Sequence, residues 1–363
     1  MFHAVRLNAD TYPVEPGERV ELERAGADLT AIEGQQPEEI LAAAAECDAL
    51  LVVSSRVPAR VIERLTRCRV IARLGAGTDR IDIDAATAAG IVVTNVPDFC
   101  LHEQAEHTLA LLLAWVRRLP FMTDAMRRGN WSARNHPGVH RLAGQTLGLV
   151  GFGASAQAVA RRARALELRV LAWARNPDKY QAIAESLGVA LVGLDRLLAE
   201  SDFVSLHLPL TPETRHLLNA DRLARMRPTA LLINTARGAI VDEQALIAAL
   251  QTGKLAGAAL DVFDGINVFA PPNASRPPEH PLLTMDNVLL TPHCAGSSVE
   301  SALDSKIRGA RNAADVLLGK WPRHVVNPGV RPERDKKDVY KLAQKLLELG
   351  LIPGPDARET EDE

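Results

Sequence analysis

The sequence predicts an α/β protein built on two doubly wound parallel sheets. Short runs rich in Val, Ile and Leu alternate with stretches of helical spacing, and this alternation passes through the chain in two successive series. The second series opens on a glycine pattern set between a strand-like run and a helix-like one. With 363 residues, 47% of them hydrophobic, the chain can bury two separate cores.

In the first series, HAVRLN (3–8), ALLVVS (49–54), VIARL (70–74) and IVVTNV (91–96) read as strands, with helical spacing over 37–46 and 58–67. One long helix is expected over roughly 101–128, ending at Gly129-Asn130, with a polar loop over 130–145. The second series reads TLGLVGFG (146–153), RVLAWA (169–174), FVSLHLPL (203–210), ALLINTA (230–236), GAALDVF (257–263) and NVLLTPH (287–293). Its runs are almost wholly apolar, as strands covered on both faces must be. The stretch 264–281 is long and proline-rich, a length that inside a compact domain often serves function. A helix is expected over 297–318. The charged segment 331–363 would hold one more near 336–349 before a disordered end.

Composition narrows the function. The formal net charge is −3, from 42 basic and 45 acidic residues, so there is no broad basic field for nucleic acid or a membrane surface. Aromatic residues, at 4%, offer few stacking platforms for bases. The longest apolar run, LALLLAWV (109–116), is too short to span a bilayer, and the N-terminus has no apolar signal core. Cys47, Cys68, Cys100 and Cys294 lie far apart in sequence, with no CxxC pair. They read as reduced thiols of a cytoplasmic protein, neither a disulfide frame nor a metal site.

Gly151-Phe152-Gly153-Ala154-Ser155-Ala156 is a GxGxxA pattern. The first glycine permits a tight turn, the second lets the backbone approach a pyrophosphate, and the small Ala156 lets helix and strand pack closely. The helix N-terminus then meets the anion with N–H groups and a favourable dipole. A dinucleotide-binding Rossmann unit follows. At the end of the next strand, where an acid would hold a ribose 2′-hydroxyl, stand Ala174 and then Arg175. An arginine there suits a 2′-phosphate, so NADP is preferred to NAD, although a solvent-facing arginine at a strand end is also common.

LLTPHCAG (289–296) ends an apolar run in a histidine. Alone, His293 reads as a packed structural residue; a proton-transfer role needs partners. Those partners come with a set of motifs: SLHLPLTPETRHLLN (205–219), LLINTARGAIVDEQALIAAL (231–250), GAALDVF (257–263) and NVLLTPHCAG (287–296), preceded by RLGAGTDRIDIDAATAAGIVVTNVPDFCLHEQAEHTLALLLA (73–114). In this order they resemble the D-isomer-specific 2-hydroxyacid dehydrogenase family, over roughly residues 45–330.

The resemblance implies an interrupted arrangement. Residues 1–100 and 296–330 would form a flavodoxin-like substrate domain, 101–295 an inserted NAD(P)-binding Rossmann domain, and 331–363 a charged tail. It implies a homodimer acting on a small 2-keto or 2-hydroxy acid. Arg237 would grip the substrate carboxylate and touch its carbonyl. His293 would be acid in reduction and base in oxidation. Ser55 and the main chain of Leu74, Gly75, Ala76 and Gly77 would complete the substrate site. Gly151, Phe152, Gly153, Ala154, Ser155, Ala174, Arg175, Leu208, Pro209, Thr214, Thr235, Ala236, Asp261 and His293 would line the cofactor. Asp261 would bind the nicotinamide carboxamide. In isolation Arg237 reads as a buried ion-pair partner and Asp261 as a helix cap.

The chain departs from the family pattern where a glutamate should orient the histidine. Five residues after Asp261 stands Ile266. Losing that carboxylate should lower the histidine's pKa and loosen its ring. Asp264, or Glu279, could stand in; the histidine could work alone; or turnover could be reduced and the fold kept for another task. Arg80 replaces a frequent asparagine, and Ser54 an arginine that in some relatives reads a second anion, which argues against a phosphorylated substrate. The alternatives to a keto-acid reductase are a dinucleotide-sensing protein of corepressor type and a dehydrogenase that oxidises another small anion, such as formate or phosphite, by the same hydride transfer.

Overall fold

The computed structural model describes residues 1–135, 138–266 and 279–330. These form two compact units, Met1–Phe99 with the described residues from Val299 onward, and Cys100–Ser298.

The first unit holds β1 (Phe2–Arg6), β2 (Ala27–Ala31), β3 (Ala49–Val52), β4 (Val70–Arg73) and β5 (Val92–Thr94). All pair in parallel, in the order β2-β1-β3-β4-β5, a flavodoxin-like sheet. Alternate residues of a strand face opposite ways, so a sheet covered on both sides needs apolar residues at every position. Ala4, Leu51, Val70 and Ala72 face one layer with Ala310, Ala313 and Ala314 of the helix Val299–Leu317. Val5, Leu50, Val52 and Ile71 face the other with Ile40, Val61 and Ile62. Cys47 and Cys68, distant in sequence, meet there as two buried, unlinked thiols, and the Cys68 sulfur raises the pKa of Cys47.

The second unit holds β6 (Thr146–Val150), β7 (Arg169–Trp173), β8 (Ala190–Leu191), β9 (Phe203–Leu206), β10 (Leu231–Asn234), β11 (Gly257–Leu260) and β12 (Val288–Leu290). The parallel order is β12-β11-β10-β9-β6-β7-β8. The order reverses between β6 and β9, and in such sheets ligands bind at the strand ends beside that reversal. Leu147, Leu149, Ile233 and Ala259 pack under the helices Leu101–Val116 and Ala154–Ala165. Val150, Val204, Leu232 and Leu260 face Leu197, Leu246 and Leu250 on the opposite side.

Three expectations change. The helix expected over 101–128 is two, Leu101–Val116 and Leu119–Arg127. Pro120 cannot donate within a helix and clashes with the turn before it, and Arg118 turns left-handed at φ 53° to break the run. The edge strand β2 was not expected, because most of its residues are exposed and show no apolar run. The two-residue β8 is too short to leave a pattern. The helix expected near 336–349 and most of the stretch 264–281 lie outside the described residues. No helix among the described residues is long and apolar enough to cross a membrane.

Candidate active site and dinucleotide cradle

The cradle follows β6. Gly151 has φ 100°, and a Cβ there would collide with the His207 carbonyl oxygen at the end of β9. Gly153 caps the helix that begins at Ala154, and a Cβ on it would meet no atom within 4 Å. The space in front of this helix N-terminus is therefore open, which fits a pyrophosphate group. Ala156 is fully buried, as close packing of helix on strand requires, and Phe152 is buried with its ring edge-on to Tyr180.

Ser155 sits in the first turn. Its hydroxyl donates to Gln104 Oε1 at 2.7 Å and lies 3.1 Å from His207 Nδ1. His207 Nε2 is 2.9 Å from Ser205 Oγ. Burial pushes the His207 pKa down to about 4, so the ring is neutral near pH 7. With the Ser155 proton already given to Gln104, His207 Nδ1–H donates to Ser155 and Nε2 accepts from Ser205.

Around the cradle, Ala174 is buried and Arg175 exposed at the end of β7. Glu213 lies within electrostatic reach of Arg175. Its pKa is lowered first by a hydrogen bond from Thr211, then by its own backbone N–H and by Arg175. Leu208 is half-buried beside Gly151, and the Thr214 hydroxyl donates to the Pro209 carbonyl at 2.7 Å.

Beyond β10, Asn234 shapes the next turn. Its Oδ1 accepts from Ala236 N at 3.0 Å and its Nδ2 donates to the Arg237 carbonyl at 2.9 Å. Thr235 and Ala236 are buried, with the Thr235 hydroxyl 3.1 Å from that of Thr108. Arg237 is extended, and its Nη1 donates to the Ala236 carbonyl at 2.7 Å. A side chain on Gly238 would collide with the Phe263 main chain, so glycine lets these two strand ends touch.

Asp261, directly after β11, is fully buried and organises the histidine turn. Its Oδ1 accepts from the Thr291 hydroxyl at 2.6 Å and Cys294 N at 2.8 Å, and its Oδ2 from Ala295 N at 2.9 Å. Its carbonyl accepts from His293 N at 2.8 Å. His293 is left-handed at φ 56°, a conformation costly for a residue with a side chain, and these bonds hold it there. Arg237, Asp261 and His293 thus stand past the ends of three adjacent strands, β10, β11 and β12.

Ile266 is half-buried. The suggested stand-in, Asp264, has its carboxylate 3.5 Å from Arg215 Nη2 and 3.9 Å from His216 Nε2. Glu279 is exposed. Sequence reasoning missed Glu243, whose carboxylate accepts from Asp264 N at 3.0 Å and Gly265 N at 3.1 Å and lies 3.0 Å from His280 Nε2. One carboxylate thereby holds both ends of the altered loop. Gln104 and His107 were also missed; their signal was polar residues three apart on a largely apolar helix.

In the first unit, the expected substrate loop follows β4. The carbonyls of Gly75, Ala76 and Gly77 accept from Val96 N, Asn95 Nδ2 and Arg73 Nε at 3.0, 2.7 and 2.9 Å. Among the described residues no hydrogen bond takes up the N–H groups of these three. Successive N–H groups of this kind suit an anion. Leu74 is buried and anchors the loop. Ser55 serves as a brace: its N–H goes to Asn8 Oδ1 at 3.0 Å, and its hydroxyl donates to the Gly34 carbonyl and accepts from Asn8 Nδ2. Arg80 Nη1 donates to the Ser54 carbonyl at 2.7 Å, which carries a guanidinium to the position where Ser54 has none. Tyr12 lies among these groups. Burial raises its pKa, and Arg73 and Arg80 pull it back down.

Comparison with known proteins agrees with this geometry. The sequence model of the D-isomer specific 2-hydroxyacid dehydrogenase NAD-binding domain matches residues 109–295. The chain is 38% identical to a D-3-phosphoglycerate dehydrogenase of Methanocaldococcus jannaschii over 86% of its own length and 58% of that protein's. It is 39% identical to a glyoxylate reductase of Korarchaeum cryptofilum, over 78% of this chain and 84% of the relative. A D-lactate dehydrogenase from Aquifex aeolicus, solved with NAD and lactic acid, superposes with a TM-score of 0.78 at 27% identity, covering 89% of this chain and 98% of that one. The chain belongs to the D-isomer-specific 2-hydroxyacid dehydrogenase family, oxidoreductases with a Rossmann dinucleotide-binding domain. It spans about three fifths of the length of the phosphoglycerate dehydrogenases it matches.

Proposed function

We propose that this chain reduces small 2-keto acids, and in reverse oxidises D-2-hydroxy acids, with NADP preferred to NAD. The observation that carries the reading is the convergence of Arg237, Asp261 and His293 beyond three neighbouring strands, in a unit whose β6 end carries an open glycine cradle. A bound nicotinamide dinucleotide would supply or accept the hydride. Arg237 grips the carboxylate with two N–H groups and reaches the keto oxygen. His293 gives that oxygen a proton in reduction and takes it back in oxidation. Within the first unit, the N–H groups of Gly75, Ala76 and Gly77 suit an anionic group. Asp261 sets the turn that carries His293. The Asp264 carboxylate lies 3.5 Å from Arg215 Nη2 and 3.9 Å from His216 Nε2, which supports a His293 that does not lean on it.

Arg175 supports NADP, and Glu213 beside it tempers the preference. The exposed apolar side chains of Leu119, Phe121, Met126 and Trp131 support a homodimer, and the unlinked thiols Cys47 and Cys68 a cytoplasmic setting. The dinucleotide-sensing alternative is not favoured, since the relatives above are named as dehydrogenases and a reductase. A second reading of the substrate has one observation behind it. Arg73 and Arg80 gather near Tyr12 beside the glycine loop, which suits a keto acid with a second anionic group and weighs against the sequence argument from Ser54.

The test is initial-rate oxidation of NADPH and NADH with glyoxylate, hydroxypyruvate, pyruvate and phosphohydroxypyruvate. Wild type, His293→Ala, Arg237→Ala and Arg80→Ala are compared. NADPH-biased turnover that is lost with His293 or Arg237 is expected. Arg80→Ala should raise KM for the phosphorylated acid more than for glyoxylate. Turnover of none of these acids with either cofactor would sink the proposal.

A further inference from the structure

His107, Asp261 and Cys294 come from three distant parts of the sequence. Each offers one metal-ligating atom, and the three atoms lie within 4.8 Å of one another. His107 Nε2 is 3.0 Å from Thr291 Oγ1 and 3.7 Å from Asp261 Oδ1. The Thr291 hydroxyl gives its proton to Asp261, so its oxygen receives the proton of His107 Nε2. The Cys294 thiol also bonds to the Asp261 carboxylate, and burial and that carboxylate raise its pKa. Asp261 is buried, whereas the His107 side chain is 22% exposed and Cys294 half-buried, so an ion has a way in. An imidazole, a carboxylate and a thiol around one point are the donors that a tetrahedral zinc-class ion takes, and three protein ligands leave a fourth position for water.

We propose that His107, Asp261 and Cys294 form an inhibitory site for a soft divalent cation of the zinc class, which arrests the turn carrying His293. The proton balance is simple. The ion takes Cys294 as thiolate and releases one proton to solvent. His107 stays neutral, its ring proton moving from Nε2 to Nδ1 as Nε2 becomes the ligand. Asp261 accepts from the Thr291 hydroxyl, Cys294 N and Ala295 N, and needs no proton moved to serve as a ligand. Two positive charges then meet one thiolate and one carboxylate, and a site that carried one negative charge becomes neutral. The ion also draws Asp261 Oδ1 away from Thr291 and from Cys294 N, two of the bonds that hold His293 left-handed. Inhibition rests on the proposed keto-acid reaction; binding of the ion does not.

The experiment titrates chelator-stripped protein with cobalt(II) and then zinc(II), following absorption and keto-acid turnover. One cobalt per chain with a thiolate-to-cobalt charge-transfer band is expected, displaced by zinc. Cys294→Ser should abolish the band, and His107→Gln should weaken cobalt binding by about tenfold or more. Saturating zinc should slow the wild type by about tenfold or more and Cys294→Ser by less than about twofold, as expected when a ligand is lost. Circular dichroism and dinucleotide binding verify that each variant is folded, with Cys294→Ala as a second substitution. Absence of the band in wild type, its survival in Cys294→Ser, or zinc binding with full turnover overturns the proposal. If the stripped protein reduces no keto acid, the reductase reading has failed, and the cobalt band still decides the site.

Discussion

His207 should make the dinucleotide unit sensitive to acid. Its ring is buried between Ser155 and Ser205, and burial lowers its pKa from 6.5 to about 4. As pH falls below 6.5, the unfolded chain takes up a proton that the folded chain refuses. The stabilisation is therefore whole above pH 6.5, fades as pH falls, and is lost once pH passes through about 4. The two values correspond to a loss of about 2 kcal/mol at pH 5 and about 3 kcal/mol at pH 4. His207→Gln keeps a donor and an acceptor and removes the titration. Urea unfolding, followed by the fluorescence of Trp115 and Trp173 in this unit, should be run at pH 7.5 and pH 5. Between them the wild type should lose about 2 kcal/mol more than the variant. Parallel losses in the two proteins would refute the buried neutral ring and the hydrogen-bond directions drawn from it.

The two cradle glycines should fail differently. Gly151→Ala should lower Tm as well as dinucleotide binding, because φ 100° and the His207 carbonyl leave no room. Gly153→Ala should keep Tm and lose binding, because its Cβ enters only the open space meant for the anion; calorimetry and cofactor titration separate the two. Asp261→Asn puts a donor where Oδ1 or Oδ2 now accepts, so it should destabilise the chain by about 2–3 kcal/mol and sharply lower kcat, measured by unfolding and turnover. Glu243→Gln should speed hydrogen exchange of the Asp264 and Gly265 amides by about tenfold, the equivalent of about 1.4 kcal/mol from two weakened charge-assisted bonds.

Much of this was legible in the chain itself, for identifiable reasons. The runs 146–153 and 230–236 are apolar at nearly every position because their strands are covered on both faces, and that leaves a pattern. The GxGxxA spacing is local, so the turn, the open approach and the close packing could each be read from neighbouring letters. β2 left no pattern because it lies at an exposed edge. Leu119-Pro120 continues the apolar spacing of the helix before it, while the proline cannot continue the backbone hydrogen bonds, so the pattern reads as one helix where the chain forms two. Ser55 was placed by analogy among the substrate ligands. Its hydrogen bonds to Asn8 and Gly34 join residues that are far apart in the chain.

Two parallel sheets, the phosphate cradle and the order of motifs that marks the family can be read from the letters of the chain. These depend on residues close in the chain, whose spacing is set by backbone periodicity. Tertiary structure decided which distant side chains share one small volume. It took Asp264 to Arg215 and His216, gave Glu243 the two ends of the altered loop, brought the Arg80 guanidinium to Ser54, and set His107 and Cys294 around Asp261. Strand order fixed the last of these: β10, β11 and β12 lie side by side with the helix Leu101–Val116 packed against β10 and β11, and no spacing along the chain encodes such an adjacency.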